Sequence, residues 1–169
     1  MAGIQEDKLL KIRLFTHFSS MLPLIIVGIL FLIVLVWIKF EHDAVIIFGV
    51  LFLADAIPAL YLHFEYWLKN NGEEYEVQDA RLIRRKNGEK IQIENGEIEK
   101  IVIYLSPSLY KNSNFHLLAI ENYHFALIKL KSGEKFLLTS LLAPRIDIEL
   151  KKMKGVLIER KKRLFCTLT

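Results

Sequence analysis

Two long apolar segments near the start of the chain constrain its fold more than any other feature. The first, residues 19–38, contains no charged side chain. At about 1.5 Å per residue it would form a helix roughly 30 Å long, the thickness of one hydrocarbon core. The second, residues 44–63, contains one charge, Asp55. Because the aliphatic and aromatic side chains outweigh the roughly 3 kcal/mol insertion cost of a central aspartate, the pattern predicts a transmembrane helical hairpin over residues 19–69.

Residues 1–18 mix apolar with charged side chains, which is typical of an interfacial helix that leads into a bilayer. A cleaved signal peptide fits less well, because the charged region is too long and no small-residue cleavage site follows the apolar run. Lys8, Lys11 and Arg13 precede the hairpin, whereas its short loop contains only Lys39. By the positive-inside rule we expect a retained, multi-pass anchor in the cell (inner) membrane, with both termini in the cytoplasm.

Asp55 is the polar site that this pattern places inside the membrane. In an antiparallel hairpin it lies level with Val27 and Gly28, where the first helix offers no polar side chain. Pro58 lacks an N–H and frees the carbonyl of Ala54, so one interpretation is a protonated Asp55 that donates to a freed backbone carbonyl. Contact within a homo-oligomer or with another membrane protein is the second, and a proton or ion pathway is the third.

Residues 70–169 have the composition of one charged globular domain on the cytoplasmic side. Turn dipeptides such as Asn87-Gly88 separate short runs in which apolar residues alternate with polar ones. The alternation predicts about seven antiparallel strands in a small sandwich or barrel. The runs are residues 75–77, 81–85, 90–93, 98–105, 115–120, 123–131 and 135–139.

A helical period follows the last of these runs. Pro144 suits a first helical turn, and apolar residues then recur at spacings of 4, 3 and 4. These residues are Ile146, Leu150, Met153 and Leu157. They predict a C-terminal helix that packs on the sheets, which makes the domain an α+β fold.

Seven strands followed by one capping helix is the element order of a pleckstrin-homology (PH) fold. The stretches YEVQDARLIRRKNGEKIQIENGEIEKIVIYL and YHFALIKLKSGEKFLLTS resemble the bacterial PH-like membrane family, in which a transmembrane hairpin precedes a cytoplasmic PH-like domain. The resemblance covers about 150 residues and implies a membrane-anchored, non-enzymatic scaffold or binding module. The phosphoinositide pocket of eukaryotic relatives is not carried over, because Arg84, Arg85 and Lys86 match its basic signature only loosely.

Catalytic and metal-binding patterns are absent from the sequence, which contains no HExxH, GxSxG, P-loop or GxGxxG match. Cys166 is the single cysteine, and no Cys/His spacing suggests zinc. The histidines His116 and His124 fall in the strand pattern and suit ordinary sheet positions. We therefore expect no enzyme activity, no cofactor and no metal.

A basic cluster lies near the C-terminus. Its simplest interpretation is a solvated face, and contact with anionic lipid is the alternative, since the domain is tethered to the cytoplasmic leaflet. Nucleic-acid binding is disfavoured because a platform for base stacking is missing. The cluster consists of Lys151, Lys152, Lys154, Arg160, Lys161, Lys162 and Arg163.

Two functions remain open from the sequence. The first is a PH-like module at the cytoplasmic face that binds a protein partner or self-assembles, with residues 106–114, a sheet edge or the surface around Asp55 as the contact. The alternative is a small transport or channel subunit that uses Asp55 in an oligomer.

Overall fold

The computed structural model describes residues 9–113 and 118–168. Its helices are α1 (Leu14–Trp37), α2 (His42–Asn70), α3 (Pro107–Tyr110) and α4 (Ile146–Leu150). Its strands are β1 (Leu9–Lys11), β2 (Glu73–Val77), β3 (Arg81–Lys86), β4 (Glu89–Glu94), β5 (Ile98–Leu105), β6 (Phe125–Leu130), β7 (Lys135–Thr139) and β8 (Ile158–Lys162). Short 3-10 turns occupy Asn95–Glu97 and Ala119–Asn122.

Two four-stranded sheets pack face to face as a sandwich. The first has the order β1-β2-β3-β4 and the second the order β7-β6-β5-β8. Every pairing is antiparallel except that of β5 with β8, which is parallel. Alternate residues of each strand point inward, so that side chains such as Leu82, Ile101 and Ile128 form one apolar core.

The described residues contain eight strands, so the prediction of seven is wrong. The additional strands lie outside the segments where the alternation was recognisable. β1 is only three residues long, and Leu10 is its single inward side chain. β8, within residues 156–169 that no sequence pattern assigns, has the sequence IERKK and lies at a sheet edge, where half-exposed positions need no apolar alternation.

Two other predicted elements differ from the structure. The predicted strand at residues 115–120 lies partly outside the described residues. His116 is one of the residues outside them, whereas Ala119 and Ile120 belong to a 3-10 turn. The C-terminal helix is only the five residues of α4, because the chain leaves the helical path after Leu150 in a series of turns that includes Gly155 at a φ of +76°. Leu157 is consequently exposed.

The segment before α1 differs from the expected interfacial helix, since residues 9–11 form a strand. Leu10 pairs with Tyr75 across β1 and β2, so the helical hairpin is an insertion between two neighbouring strands of one sheet. The pairing explains why Leu10 is buried: its side chain joins the sandwich core.

The hairpin helices extend beyond the predicted segments, to 24 and 29 residues. By length and composition, both are long and apolar enough to cross a membrane. They run antiparallel, with the rings of Phe31 and Phe52 stacked at 5.6 Å, and the turn between them places Lys39 and Phe40 at positive φ.

Candidate functional site

The second half of α2 packs against the outer face of the β5–β6–β7 sheet. Ala56, Ala59, Leu62 and Tyr66 recur at helical spacing and are buried there. The two alanines permit close approach of the helix backbone, and the hydroxyl of Tyr66 donates to the carbonyl of Cys166 at 2.6 Å. The hairpin and the sandwich therefore share a second apolar core.

Asn70 fixes the end of α2 to the sandwich. Its Nδ2 donates to the carbonyl of Leu137 at 2.9 Å, and its Oδ1 accepts the N–H of Thr139 at 2.9 Å. The same Nδ2 also donates to Glu73 at 2.9 Å. Because one fully buried side chain contacts both β2 and β7, it sets how the helix meets both sheets.

Asp55 is hydrogen-bonded to the 3-10 turn that precedes β6. Its two carboxylate oxygens lie 3.1 and 3.2 Å from the backbone nitrogen of Ala119, which donates to them at the start of the 3-10 turn Ala119–Asn122. Ala119 is 64 residues away in sequence, which is why the helix pattern could not suggest this partner. Pro58 lies inside α2 one turn further on.

This contact predicts how two substitutions differ. Asp55→Leu should destabilise the chain by about 1–2 kcal/mol, because the buried N–H of Ala119 loses its acceptor, whereas Asp55→Asn retains an acceptor oxygen and should cost less than half as much. Thermal unfolding in detergent measures both, and Asp43→Asn, at the start of α2, is the matched control. Equal stability of the Leu and Asn variants would contradict the capping role.

A chain of hydrogen bonds crosses the junction between the helices and the sandwich. Nδ1 of His17 lies 2.8 Å from Nε2 of His63, and Nδ1 of His63 lies 3.0 Å from the hydroxyl of Tyr123. That hydroxyl is in turn 3.5 Å from the sulfur of Met21. The antiparallel pairing of the helices brings the two histidines together. The depth matching that places Asp55 level with Val27 and Gly28 predicts Ser19, and not His17, opposite His63.

Glu73 is a buried carboxylate held by four side-chain donors. It accepts hydrogen bonds from Arg84 at 2.5 Å, Tyr75 at 2.8 Å, Asn70 at 2.9 Å and Lys86 at 3.0 Å. Burial alone would raise its pKa, but these four donors outweigh that effect and lower the pKa to about 2. Glu73 is therefore ionised at any physiological pH.

A cleft of about 670 Å³ opens beside Glu73, where both helices leave the sandwich. Its apolar wall includes Ile12, Leu14 and Trp67. Its charged lining combines four cations with two carboxylates. His17, in the first turns of α1, also lines the cleft. The charged residues are Lys11, Arg13, Arg85, Lys86, Glu73 and Glu74.

Three of the four cations of the cleft are in ion pairs. Lys11 pairs with Glu74 at 3.3 Å, Lys86 with Glu73 at 3.0 Å and Arg85 with Glu76 at 2.7 Å. Arg13 is exposed, and within the described part of the chain it takes part in no ion pair. It also stands at the start of α1, whose first turn contains no acidic residue to balance the helix dipole. The cleft is thus suited to an anion.

The basic cluster predicted near the C-terminus is divided between the two ends of the sandwich. Lys154 pairs with Asp79 at 2.5 Å beside the start of β5, whereas the N–H of Arg163 bonds to Leu105 at the end of β5. Eight residues of strand, about 23 Å, separate these points. Lys151 and Lys152 lie with Lys154, and Arg160 to Lys162 belong to β8. One continuous patch is therefore not formed.

The loop at residues 106–113 packs on neighbouring elements of the same chain. Ser106 begins α3, and its hydroxyl donates to the carbonyl of Glu121 at 2.7 Å. Arg160 of β8 donates to the carbonyl of Leu109 at 3.1 Å and to the side chain of Asn112 at 3.2 Å. Asn114, the last residue of the predicted contact loop, lies outside the described residues.

Within residues 9–113 and 118–168, no group of three or more His, Cys, Asp or Glu side chains is placed to hold a metal ion. Cys166 is buried, and burial raises the pKa of its thiol to about 12.

Comparison with known proteins gives one family match. A family model described as a PH domain matches residues 8–151. The matched region begins just before β1, contains both helices of the hairpin and ends after α4. Comparison with curated proteins gives no match.

Proposed function

Since the chain belongs to the PH-domain family, we propose that it is a membrane-anchored binding module whose cleft takes the headgroup of an anionic phospholipid. PH domains are generally non-enzymatic binding modules, and they commonly bind proteins or lipids. Of these two partner classes, the cleft favours lipid. The hairpin supplies the anchor, and the sandwich lies at the cytoplasmic surface of the cell membrane.

The exposure of the hairpin supports the anchor. In the most apolar window of each helix only 17% and 22% of the residues are buried, whereas a core helix of a soluble protein is mostly buried. Exposed apolar side chains continue from Leu14 to Trp37 on α1 and from Ile46 to Leu68 on α2. The sandwich covers one face of the hairpin, along the half of the hairpin nearest the strands. The opposite face of the hairpin is the one that the bilayer would contact.

The position of the cleft is the single observation that carries the proposal. It opens where α1 begins and α2 ends, the level at which an anchored hairpin would enter the lipid headgroups. Each basic residue near an anionic membrane surface gains about 1 kcal/mol. Arg13 and Lys86 also lie beside backbone N–H groups at the start of α1 and in the β3–β4 turn, which are suited to phosphate oxygens. Trp67 lies at the same level, and tryptophan side chains are enriched at membrane interfaces.

The geometry of Asp55 favours a structural role over the alternative of an ion pathway. Its carboxylate already accepts a hydrogen bond from the sandwich, and the side chain joins α2 to the 3-10 turn Ala119–Asn122. A protein partner or a second copy remains compatible with the anchor, but the features described here favour neither as specifically as the basic cleft favours an anion.

Binding of a short-chain lipid tests this function. The full chain in nonionic detergent is titrated with dioctanoyl phosphatidylglycerol and, separately, with dioctanoyl phosphatidylcholine, and we expect binding of the anionic lipid only. Combined Lys11→Gln and Arg13→Gln should weaken it roughly 30-fold, since two cations at about 1 kcal/mol each are lost.

The matched control removes the same charge from the other end of the sandwich. Combined Lys151→Gln and Lys152→Gln should leave the affinity within about twofold of wild type, because those lysines lie with Lys154 near the start of β5. Equal binding of both lipids, or a larger loss in the control variant, would rule out the cleft as the headgroup site.

A further inference from the structure

We propose that one end of the sandwich lies inside the cytoplasmic leaflet of the membrane, where the 3-10 turn Ala119–Asn122 and the neighbouring Leu118 contact lipid acyl chains. The inference rests on the hairpin anchor of the proposed function. It goes beyond the headgroup cleft by identifying a second lipid-contacting surface, on a different part of the sandwich. The turn packs against both helices of the hairpin, beside Leu24 of α1 and Asp55 of α2.

The level of this turn along the hairpin is the observation that carries the inference. At 1.5 Å per residue, about 20 Å of α2 separates Asp55, the partner of Ala119, from the loop residue Glu41. On α1, Leu24 likewise lies about 20 Å from Trp37, the last residue of the helix. The hydrocarbon core of a bilayer is about 30 Å thick. A hairpin whose loop reaches the outer surface therefore holds the turn about 10 Å inside the cytoplasmic boundary of the hydrocarbon.

The loop of the hairpin is charged, which disfavours a hairpin that enters the bilayer less deeply. Withdrawing the loop by about 10 Å would bring the turn out of the hydrocarbon. The same movement would bury Lys39, Glu41 and Asp43, which are exposed. Each charged side chain inside the hydrocarbon costs about 3 kcal/mol. The charged loop therefore favours full crossing, and with it an immersed turn.

The exposed apolar face of the hairpin leads to the same level. Where the sandwich does not cover the helices, exposed apolar side chains continue along α1 to Leu14 and along α2 to Leu68. Leu68 lies about 20 Å beyond Asp55 on the cytoplasmic side. A continuous exposed apolar surface marks a membrane contact. Lipid on this face would thus extend past the level of the turn.

The polar groups of the turn are satisfied within the protein, as a hydrocarbon environment requires. Ala119 is buried and its N–H donates to Asp55, while the carbonyl of Glu121 accepts the hydroxyl of Ser106 at 2.7 Å. The N–H of Glu121 donates to the carbonyl of Leu118 at 3.1 Å. At a water surface, solvent could replace these partners. Immersion of the turn therefore gives a reason for an aspartate in a stretch of α2 that is otherwise uncharged.

The surface beside the turn is apolar where the helices leave it open. Leu118 is 41% exposed. It lies next to Asp55 at one end of a groove of about 390 Å³ between α1 and α2, whose walls include Val27, Phe31 and Phe52. Because Leu118 continues the apolar wall of a groove between two lipid-facing helices, it is suited to contact acyl chains.

Basic side chains border this end of the sandwich. The N–H of Arg163 bonds to the carbonyl of Leu105, which directly precedes the serine that binds the turn. Lys161 and Lys162 are exposed beside it, and the exposed Leu164 follows them. Lysine side chains can reach anionic headgroups while their aliphatic stems contact apolar surface. This half of the C-terminal basic cluster is therefore placed where a partly immersed sandwich would meet headgroups.

Depth-dependent quenching of single-cysteine labels tests this placement. The full chain, in nanodiscs of phosphatidylcholine and phosphatidylglycerol, carries a fluorophore at Leu118→Cys, Leu157→Cys or His42→Cys. Cys166 stays unlabelled, because it is buried and burial raises the pKa of its thiol. The quenchers are iodide in the buffer and lipids with a nitroxide either near the headgroup end of the acyl chain or near its methyl end.

Leu118 and Leu157 are matched, because both are exposed leucines and Leu157 lies beside the start of β5, at the other end of the sandwich. The nitroxide near the headgroup end should quench the label at Leu118 at least about threefold more than the label at Leu157, since only the first lies in hydrocarbon. Iodide should quench in the reverse order, and it should reach the label at His42. In wild type, a lipid-dissolved carbene reagent should modify Leu118 and spare Leu157, which repeats the test without a substitution.

The outcomes separate this inference from the proposed function. If iodide quenches the labels at Leu118 and Leu157 equally and also reaches His42, the sandwich lies outside the bilayer. That result would overturn the inference while leaving the anchor and the headgroup cleft in place. Strong quenching at His42 by the methyl-end nitroxide would show that the hairpin ends inside the bilayer, which would overturn the spanning anchor itself. Quenching of no label by either lipid would remove the membrane from both proposals.

Discussion

Replacing Asn70 by leucine should lower the melting temperature of the full chain by roughly 10 °C. Leucine has a similar volume, but it leaves the carbonyl of Leu137 and the N–H of Thr139 buried without a partner. An unsatisfied buried polar group costs about 1–3 kcal/mol, and in a chain of this length each 1 kcal/mol corresponds to about 2–4 °C. The effect is large because both lost contacts belong to the sheet that α2 covers.

Thermal unfolding in nonionic detergent, followed by intrinsic fluorescence, measures this change. Asn71→Leu is the matched control, since Asn71 is the next residue and is exposed. That variant should melt within about 2 °C of wild type, as surface substitutions usually do. Equal melting temperatures for the two variants would show that Asn70 does not join the helix to the sandwich.

Glu73 should make the free energy of unfolding of the sandwich fall at acid pH. Its pKa is about 2 in the folded chain, compared with 4.5 for an ordinary glutamate. Because the folded value is the lower one, its contribution is fully present above about pH 5 and is lost as pH falls towards 2. A shift of this size corresponds to about 3 kcal/mol at neutral pH.

Urea unfolding at pH 7, 5 and 3 measures that contribution. Glu73→Gln should be about 3 kcal/mol less stable than wild type at pH 7, and the difference should shrink at pH 3. Glu89→Gln, at an exposed position of β4, should follow the wild-type pH profile. A wild-type profile that stays parallel to that of Glu73→Gln from pH 7 to 3 would show that the four donors do not stabilise the ionised carboxylate.

Much of the fold follows from the sequence, because the long elements have clear periods. The family match confirms the PH-like domain, and the structure confirms two long apolar helices and a β-sandwich. Pattern reasoning failed where an element was short or lay at an edge. β1 buries only Leu10, and β8 pairs in parallel with β5 across a gap of more than 50 residues. The apolar spacing would also have continued the C-terminal helix past Leu150, where the chain turns instead.

The candidate site was harder to predict because its residues come from distant parts of the chain. Lys11 and Arg13 were recognisable as basic residues before a hairpin, and Arg85 and Lys86 as a loose basic motif. They share one cleft because β1 pairs with β2 and β2 with β3. The partner of Asp55 is a backbone N–H, which no side-chain pattern can reveal.

The insertion of the hairpin between β1 and β2 has a topological consequence. Lys11 and Glu74 are register partners in one sheet, although 62 residues separate them. A chain that left through a membrane at Leu14 and did not come back could never complete that sheet. In a chain whose hairpin spans a membrane, β1 can pair with β2 only if the hairpin begins and ends on the same side of that membrane.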